Sequence, residues 1–391
     1  MLLQLLPQRA AAQVASDIAV GAERTSLYVP LLSGGTVAVV ANHTSLVRGV
    51  HLLDTLLALG VDVKKVFCPE HGFRGDVEAG KYIQSQTDSK TGLPLVSLYG
   101  KNKKPSDESL RGISHVIIDM QDVGVRYYTY TSTMHYVMEA CAGLNIEVIV
   151  LDRPSPNGFY IDGPVLDTAC RSFVGMHPVP LVHGLTMGEY AQMINGERWL
   201  AGHRQCRLTV IPCLGYTHSQ IYAPPVKPSP NLPNLTSMLL YPSLGLFEGT
   251  PMSVGRGTDF PFQVVGHPDF PLRGFHFTPE ERPGASLNPP HKDELCFGID
   301  LRDYSTAYFE DARRIDLEWL LLAYNTYPKP EAFFNRFFRN LAGTPLLQQQ
   351  IERGMSAEAI RQSWQPALEA YKQLRAKYLL YPDFEQPTNA Q

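Results

Sequence analysis

Apolar residues along this chain come in short runs set between amphipathic stretches. TVAVVAN at 36–42, VKKVF, HVIID, EVIVL and RLTVI are rich in β-branched residues, and each is followed by polar or turn-forming positions. Runs of that length and composition predict buried strands. In HLLDTLLALG, Leu52, Leu53, Leu56 and Leu57 repeat at helical spacing, and Gly60 supplies a stop. TSTMHYVMEACAGL predicts a second helix with Gly143 near its end. TMGEYAQMINGE predicts a third, with Thr186 as N-cap and Glu189 in the capping-box position. Strands alternating with helices predict an α/β fold with a largely parallel sheet.

That rhythm stops in APPVKPSPNLPNL at 223–235, and the 31 prolines cluster from Pro212 to Pro290. Two further helices are expected around 314–341 and 356–377. With 391 residues the chain is long enough for two domains. We divide it into an N-terminal extension (1–25), a main α/β domain (26–245) and a smaller C-terminal α/β domain (246–391). The polar, glycine-rich Gly255–Thr258 loop is expected to reach back to the main domain.

Composition mainly excludes. The net charge of -4 and the dispersed basic residues point away from nucleic acid as a partner. No apolar run approaches the about 20 residues of a membrane-spanning helix. The start, MLLQLLPQRAAAQVAS, pairs a leucine cluster with small residues like the end of a secretory signal, but without a basic leader segment. A periplasmic or secreted location is the expectation, with the cytoplasm as the alternative. Six scattered cysteines form no CxxC pair, which argues against a structural zinc site; a Cys206–Cys213 disulfide stays open. There is no GxGxxG, P-loop, GxSxG or HExxH pattern, so no cofactor or metal is expected.

The chemistry gathers at the strand ends. In an open α/β sheet the loops after the carboxyl ends of the strands line the ligand crevice. PEHGFRG at 69–75 follows VKKVF, and DMQDVGVRYYTY follows HVII. Glu70, His71, Arg74, Asp119, Asp122 and Arg126 are therefore expected to converge on a polar, negatively charged substrate. Glu70 is the leading acid/base candidate, the alternative being a pair with Arg74. Of Asp119 and Asp122, one is expected to face the pocket and the other to anchor the loop. Arg126 suits a carboxylate, while Tyr128 and Tyr130 suit a sugar ring; the alternative is a buried Arg126–Asp122 pair among core tyrosines. Asn157 follows Asp152–Arg153, where pairing and turn chemistry explain most of the pattern. His183 is a further cleft candidate, and Glu248 with Arg256 marks a second ligand loop.

Taken in order, ANHTSLV, PEHGFRGDVEAG, IIDMQDVGVRYYTYTSTM, LDRPSPNG, PLVHGLTMGEY and FEGTPMSVGRGT resemble a bacterial family first known as a domain of unknown function and associated with exo-β-N-acetylmuramidases. The resemblance spans Val37 to Thr258, and the remaining tail suits the family's smaller domain. It implies a Rossmann-like catalytic domain, an auxiliary α/β domain, and release of terminal N-acetylmuramic acid from peptidoglycan-derived saccharides. It makes Glu70 the catalytic acid, with Asp122, Glu248 or a tyrosine as the second group. Arg126, then Arg74 or Arg256, is expected to hold the lactyl carboxylate. Pro251 departs from the family pattern, where an asparagine is expected. A non-catalytic muropeptide-binding protein and a metal-dependent hydrolase using the same acids are the competing readings.

Overall fold

The computed structural model describes residues 18–69, 73, 86–100 and 102–384. A helical turn, α1 (Thr25–Tyr28), precedes β1 (Val37–Ala41). A small ribbon, β2 (Leu46–Val47) against β3 (Val50–His51), leads into α2 (Leu52–Ala58). Then come β4 (Val63–Cys68), β5 (Gln86–Thr87), β6 (Pro94–Ser97) and β7 (His115–Asp119). The βα rhythm continues through α3 (Tyr130–Leu144), β8 (Glu147–Leu151), α4 (Met187–Gly196) and β9 (Arg207–Ile211). These strands form one sheet in the order β5-β6-β4-β1-β7-β8-β9. Every neighbouring pair is parallel except β5–β6 at the edge. The expected α/β architecture is thus the observed one. Residues 37–41 are buried at every position, because helices and loops cover both faces of a parallel sheet.

The sheet order places the site. From β1 the chain winds outward through β4 to β6, then returns to lay β7 on β1's other side and continues to β8 and β9. The winding direction reverses at β1. The crevice beyond the carboxyl ends of β1 and β7 is where such a sheet takes a ligand.

Local signals held where they were strongest. Thr186 accepts from the Glu189 N–H, and the Glu189 side chain accepts from the Thr186 N–H, completing the capping box of α4. The expected helix over 314–341 instead breaks into α7 (Glu318–Thr326) and α8 (Phe338–Ala342). Pro328 and Pro330 stand between them, where each ring removes an N–H the helix would need.

After α5 (Leu235–Leu244), β10 (Val264–His267), β11 (Phe275–Phe277) and β12 (Cys296–Asp300) make an antiparallel sheet with β12 in the middle. Helices α6 (Thr306–Ala312), α7 (Glu318–Thr326), α8 (Phe338–Ala342), α9 (Leu346–Glu352) and α10 (Ala357–Arg375) follow. One apolar core runs from Val40 and Ile118 through Tyr190 to Phe338 and Trp364, so the late helices pack on the main sheet's own core. The tail then binds the strand ends. The Tyr381 hydroxyl donates to Asp152 Oδ2 at 2.6 Å and accepts from the Cys213 N–H at 2.8 Å, while the Leu380 N–H reaches Glu189. All six cysteines are free and buried, Cys206 and Cys213 among them. Among the described residues, no helix is long and apolar enough to cross a membrane.

Candidate active site

Asn42 follows the last residue of β1 and organises the sheet reversal. Its Oδ1 accepts from the Thr44 N–H and hydroxyl, and its Nδ2 donates to the Tyr130 hydroxyl at 2.7 Å. Thr44 Oγ1 in turn accepts from the Gln121 N–H, and the Ser45 hydroxyl donates to the Asp119 carbonyl. The loops after β1 and β7 are therefore stitched together across the switch point. Thr44 lines one hollow, of about 420 Å³, with Gln121, Arg153 and Tyr222. Tyr130 lines a second, so Asn42 is bonded to the wall of each.

The second hollow, of about 100 Å³, has the character of a sugar site. Tyr128, Tyr130, Tyr241 and Phe262 supply aromatic surface, and Asn231 and Arg256 supply polar groups. The Tyr128 and Tyr130 rings meet edge to face at 4.8 Å, although Tyr130 already begins α3 and the segment is not extended as the sequence suggested. Arg256 rests on the Phe262 ring at 4.9 Å, and its Nε donates to Glu248 Oε1 at 2.7 Å. Arg256 and Glu248 are each about a quarter exposed (25% and 26%), which leaves both in reach of solvent. The turn that carries Arg256 needs its glycines. Gly255 and Gly257 sit at φ +76 and +84, and a Cβ on Gly257 would come within 2.4 Å of the Glu280 carbonyl oxygen. Arg256 of the glycine-rich loop thus lines the same hollow as Tyr128 and Tyr130.

Other candidates serve the scaffold. Asp119 is fully buried in a two-point pair with Arg153, at 2.5 Å and 2.9 Å. It anchors the loop, and Arg153 pairs with it instead of Asp152. Asp122 is 4% exposed; Oδ1 accepts from the Gly124 N–H and Oδ2 has no partner. Burial pushes its pKa up to about 7, against the lowering effect of the Gly124 and Val123 N–H groups. Asn157 spends its amide on the Val123 and Met238 carbonyls. His183 is buried, accepts from the Leu185 N–H, and has its pKa pushed down to about 3 by burial, then by Arg375, Arg126 and His218. It is a neutral ring in the core.

Arg126 requires the largest correction. Neither a ligand nor Asp122 takes its guanidinium. Nη1 donates to the Pro164 and Val179 carbonyls, and Nη2 to those of Leu341 and Ala342, at 2.7–3.1 Å. The side chain is 1% exposed, and burial pulls its pKa down to about 10, still cationic at neutral pH. Two of its acceptors close α8, where the carbonyl ends of a helix favour a cation. The arginine that lines the aromatic hollow is Arg256. Glu70, His71 and Arg74 lie outside the described residues. Glu70 follows Cys68, the last residue of β4, by two positions, and β4 pairs with β1.

Several site residues escaped the sequence reading. Asn42 was read as the end of the strand run 36–42, yet a carboxamide directly after an apolar strand was a usable signal. Asn231 belongs to the proline-rich connection, which forms a wall of the hollow: the Tyr128 hydroxyl donates to the Pro228 carbonyl. His43 also bonds this segment, Nε2 to the Lys227 carbonyl at 2.8 Å, and burial lowers its pKa. Among the described residues, no three His, Cys, Asp or Glu side chains are grouped to hold a metal ion.

Fold and site together define a doubly wound α/β protein with an aromatic hollow, lined by an arginine, beside the sheet reversal. Residues 37–236 match the model of the exo-β-N-acetylmuramidase NamZ N-terminal domain, and residues 239–381 match that of its C-terminal domain. The chain belongs to this family. It is 37% identical over 372 residues to the peptidoglycan β-N-acetylmuramidase NamZ of Bacillus subtilis, covering 90% of this chain and 89% of that one. Two solved structures of DUF1343 family proteins from Bacteroides fragilis share the fold. One is 46% identical with a TM-score of 0.88, covering 94% of this chain and 100% of its own. The other is 29% identical with a TM-score of 0.78, covering 93% and 99%.

Two outcomes follow from the buried groups. Arg126→Met leaves the Pro164, Leu341 and Ala342 carbonyls without their donor, while that of Val179 keeps the Leu166 N–H; at ~1 kcal/mol for each of the three, denaturant titration should show a loss of about 3 kcal/mol. A stability unchanged within error would remove its tethering role. For Asp122, the folded pKa of about 7 lies above the unfolded value of about 3.9. Its contribution to stability is therefore fully present below pH ~4 and is lost as pH rises through ~7. Melting curves from acid to pH 8 should show Asp122→Asn gaining on wild type as pH rises, by a few degrees at the alkaline end. A difference that does not vary with pH would contradict this.

Proposed function

We propose that this protein is an exo-acting glycoside hydrolase that releases terminal β-linked N-acetylmuramic acid from peptidoglycan fragments. The observation that carries this reading is the 37% identity, over nine-tenths of the chain, to a peptidoglycan β-N-acetylmuramidase. The hollow at the sheet reversal agrees with it. A pocket of about 100 Å³, walled by Tyr128, Tyr130 and Tyr241, suits part of one terminal sugar better than the middle of a glycan strand.

The site residues take these roles in the proposal. Glu70 protonates the leaving glycosidic oxygen, as general acids do in this chemistry. Its position after β4, beside β1, supports a placement at the sheet reversal. Glu248, paired with the hollow's Arg256 and about a quarter exposed, is the carboxylate available for the second role, whereas Asp122 is sealed in the interior. The tyrosine faces pack against the sugar ring. Arg256 binds the lactyl carboxylate, the group that distinguishes N-acetylmuramic acid from N-acetylglucosamine, and its bond to Glu248 holds the guanidinium in place.

A chromogenic N-acetylmuraminide assay, run with and without a chelator, separates this reading from its rivals: a binding protein gives no turnover, and a metal-dependent hydrolase loses activity to the chelator. Glu70→Gln should fold normally and lower kcat by about 10²–10⁴-fold; near wild-type turnover would remove Glu70 from the acid role. Arg256→Met should lower kcat/KM on the muraminide by about 10–200-fold, equivalent to ~1.5–3 kcal/mol for one charge-assisted contact. Its kcat/KM on the matched glucosaminide should change far less. An equal loss on both substrates would show that Arg256 does not read the lactyl group.

A further inference from the structure

A second concave face lies apart from the aromatic hollow. It encloses about 490 Å³ and is lined by Arg171, Arg336, Arg339, Asn335, Asn340 and Gln348, with the Cys170 thiol among them. No Asp or Glu lines it. The nearby acids Asp167 and Glu352 lie outside the lining: Asp167 accepts from the Ala169 N–H and attracts Arg339, and Glu352 accepts from the Gln348 amide. All three arginines are exposed. Arg339 is nevertheless anchored, since its Nε donates to the buried Cys170 sulfur at 3.1 Å. That bond leaves the terminal nitrogens of the fork for another partner. Like charges brought into one concavity repel in the absence of a ligand, so the arrangement favours an anionic occupant.

We infer that this face is a second binding site, and that it takes an acidic peptide of the kind carried by peptidoglycan stems. The inference rests on the proposed function. The lining decides between a peptide and a simple phosphate. Guanidinium groups only donate, and they suit either anion. Three carboxamides stand beside them; Gln348 gives one of its two N–H groups to Glu352, and each carboxamide brings an acceptor oxygen to the face. An acceptor is useful to a ligand with N–H groups of its own. A peptide has them and a phosphate does not.

The face is also tied to the sugar hollow. The Asn335 N–H donates to the Gly249 carbonyl, one residue beyond Glu248. A Cβ on Gly249 would lie 2.4 Å from the Phe338 Cα, so α8 and the Glu248 turn are in direct backbone contact. The carbonyls that close α8 hold Arg126, which directly precedes Tyr127 and Tyr128. A terminal muramic acid with a free lactyl group occupies the hollow, while a stem peptide from a neighbouring muramic acid of the same fragment occupies the basic face.

Calorimetric titration of the full chain with an isolated stem tripeptide rich in carboxylates tests this without hydrolysis. Wild type should bind it saturably. Its amidated, uncharged counterpart should bind at least about tenfold more weakly, as should the acidic peptide to the double variant R336Q/R339Q. The variant should lose the advantage of peptide-bearing over peptide-free glycan fragments in kcat/KM, while its turnover of the peptide-free disaccharide stays within about twofold of wild type. The inference is overturned if wild type shows no saturable peptide binding, or binds the acidic and amidated peptides equally. Unaltered binding in R336Q/R339Q overturns it too, as does tight binding of inorganic phosphate alone with none of the peptide. Failure of the glycosidase reading is separate: wild type would not cleave the peptide-free disaccharide, whatever the peptide titration showed.

Discussion

A buried cation, Arg126, ties the strand-end loop of the main sheet to the late helices. Arg126 leaves the β7 loop and gathers carbonyls from Pro164 and Val179 on one side and from the end of α8 on the other. No carboxylate is spent on it among the described ion pairs. Four oriented carbonyl dipoles take the place of a counter-ion; the Val179 carbonyl also accepts from the Leu166 N–H, and the other three take their donor from Arg126. The arrangement stays charged at neutral pH because its burial-lowered pKa of about 10 is still well above 7. Everything adjacent inherits its position: Tyr127, Tyr128 and Tyr130 follow it in the chain, and α8 carries the turn of Glu248 against its flank.

The division of labour among strand-end residues follows from burial. At the reversal of the sheet, loops after β1 and β7 must cross without leaving orphaned polar groups in the interior. Asn42, Thr44, Ser45 and Gln121 satisfy one another there, and the Asp119–Arg153 pair closes the same layer. Such a framework can be rigid because its members face inward. The groups suited to a ligand are those the framework leaves at the rim: the edges of the tyrosines, and Arg256 with Glu248. A quarter of each charged side chain in solvent is enough for contact, while the remainder is held by Phe262 and by the pair itself.

Much of the fold was readable because its signals are local. Strand runs, the leucine spacing of α2 and the Thr186–Glu189 box all act within a few residues, and the structure contains each of them. The strand-end rule also pointed to the edge of the sheet where the aromatic hollow lies. The roles on that edge were harder to read. Arg126 and Arg256 both stand near glycines and aromatics in the sequence, and nothing local distinguishes a guanidinium that will meet carbonyls from one that will meet a ligand. The acceptors of Arg126 come from residues 164, 179, 341 and 342, and a carbonyl carries no side-chain signature. Asn42 was passed over for a related reason, since its partner Tyr130 lies 88 positions away.

The two arginine environments also show why arginine content alone says little about anion binding. In Arg126 every arm but Nε has a fixed backbone acceptor, and an incoming carboxylate would have to displace bonds already made in a dry interior. At Arg171, Arg336 and Arg339 the groups are exposed and lined up without an acid between them. Desolvating such a cluster costs little, because much of each fork stays wet, and an anion relieves its mutual repulsion. Arg256 lies between these limits, braced on one edge by Glu248 and supported by an aromatic face. A partly buried, pre-oriented fork loses less freedom on binding than an exposed one and less hydration than a sealed one. That intermediate position suits it to reading one carboxylate on a bound sugar.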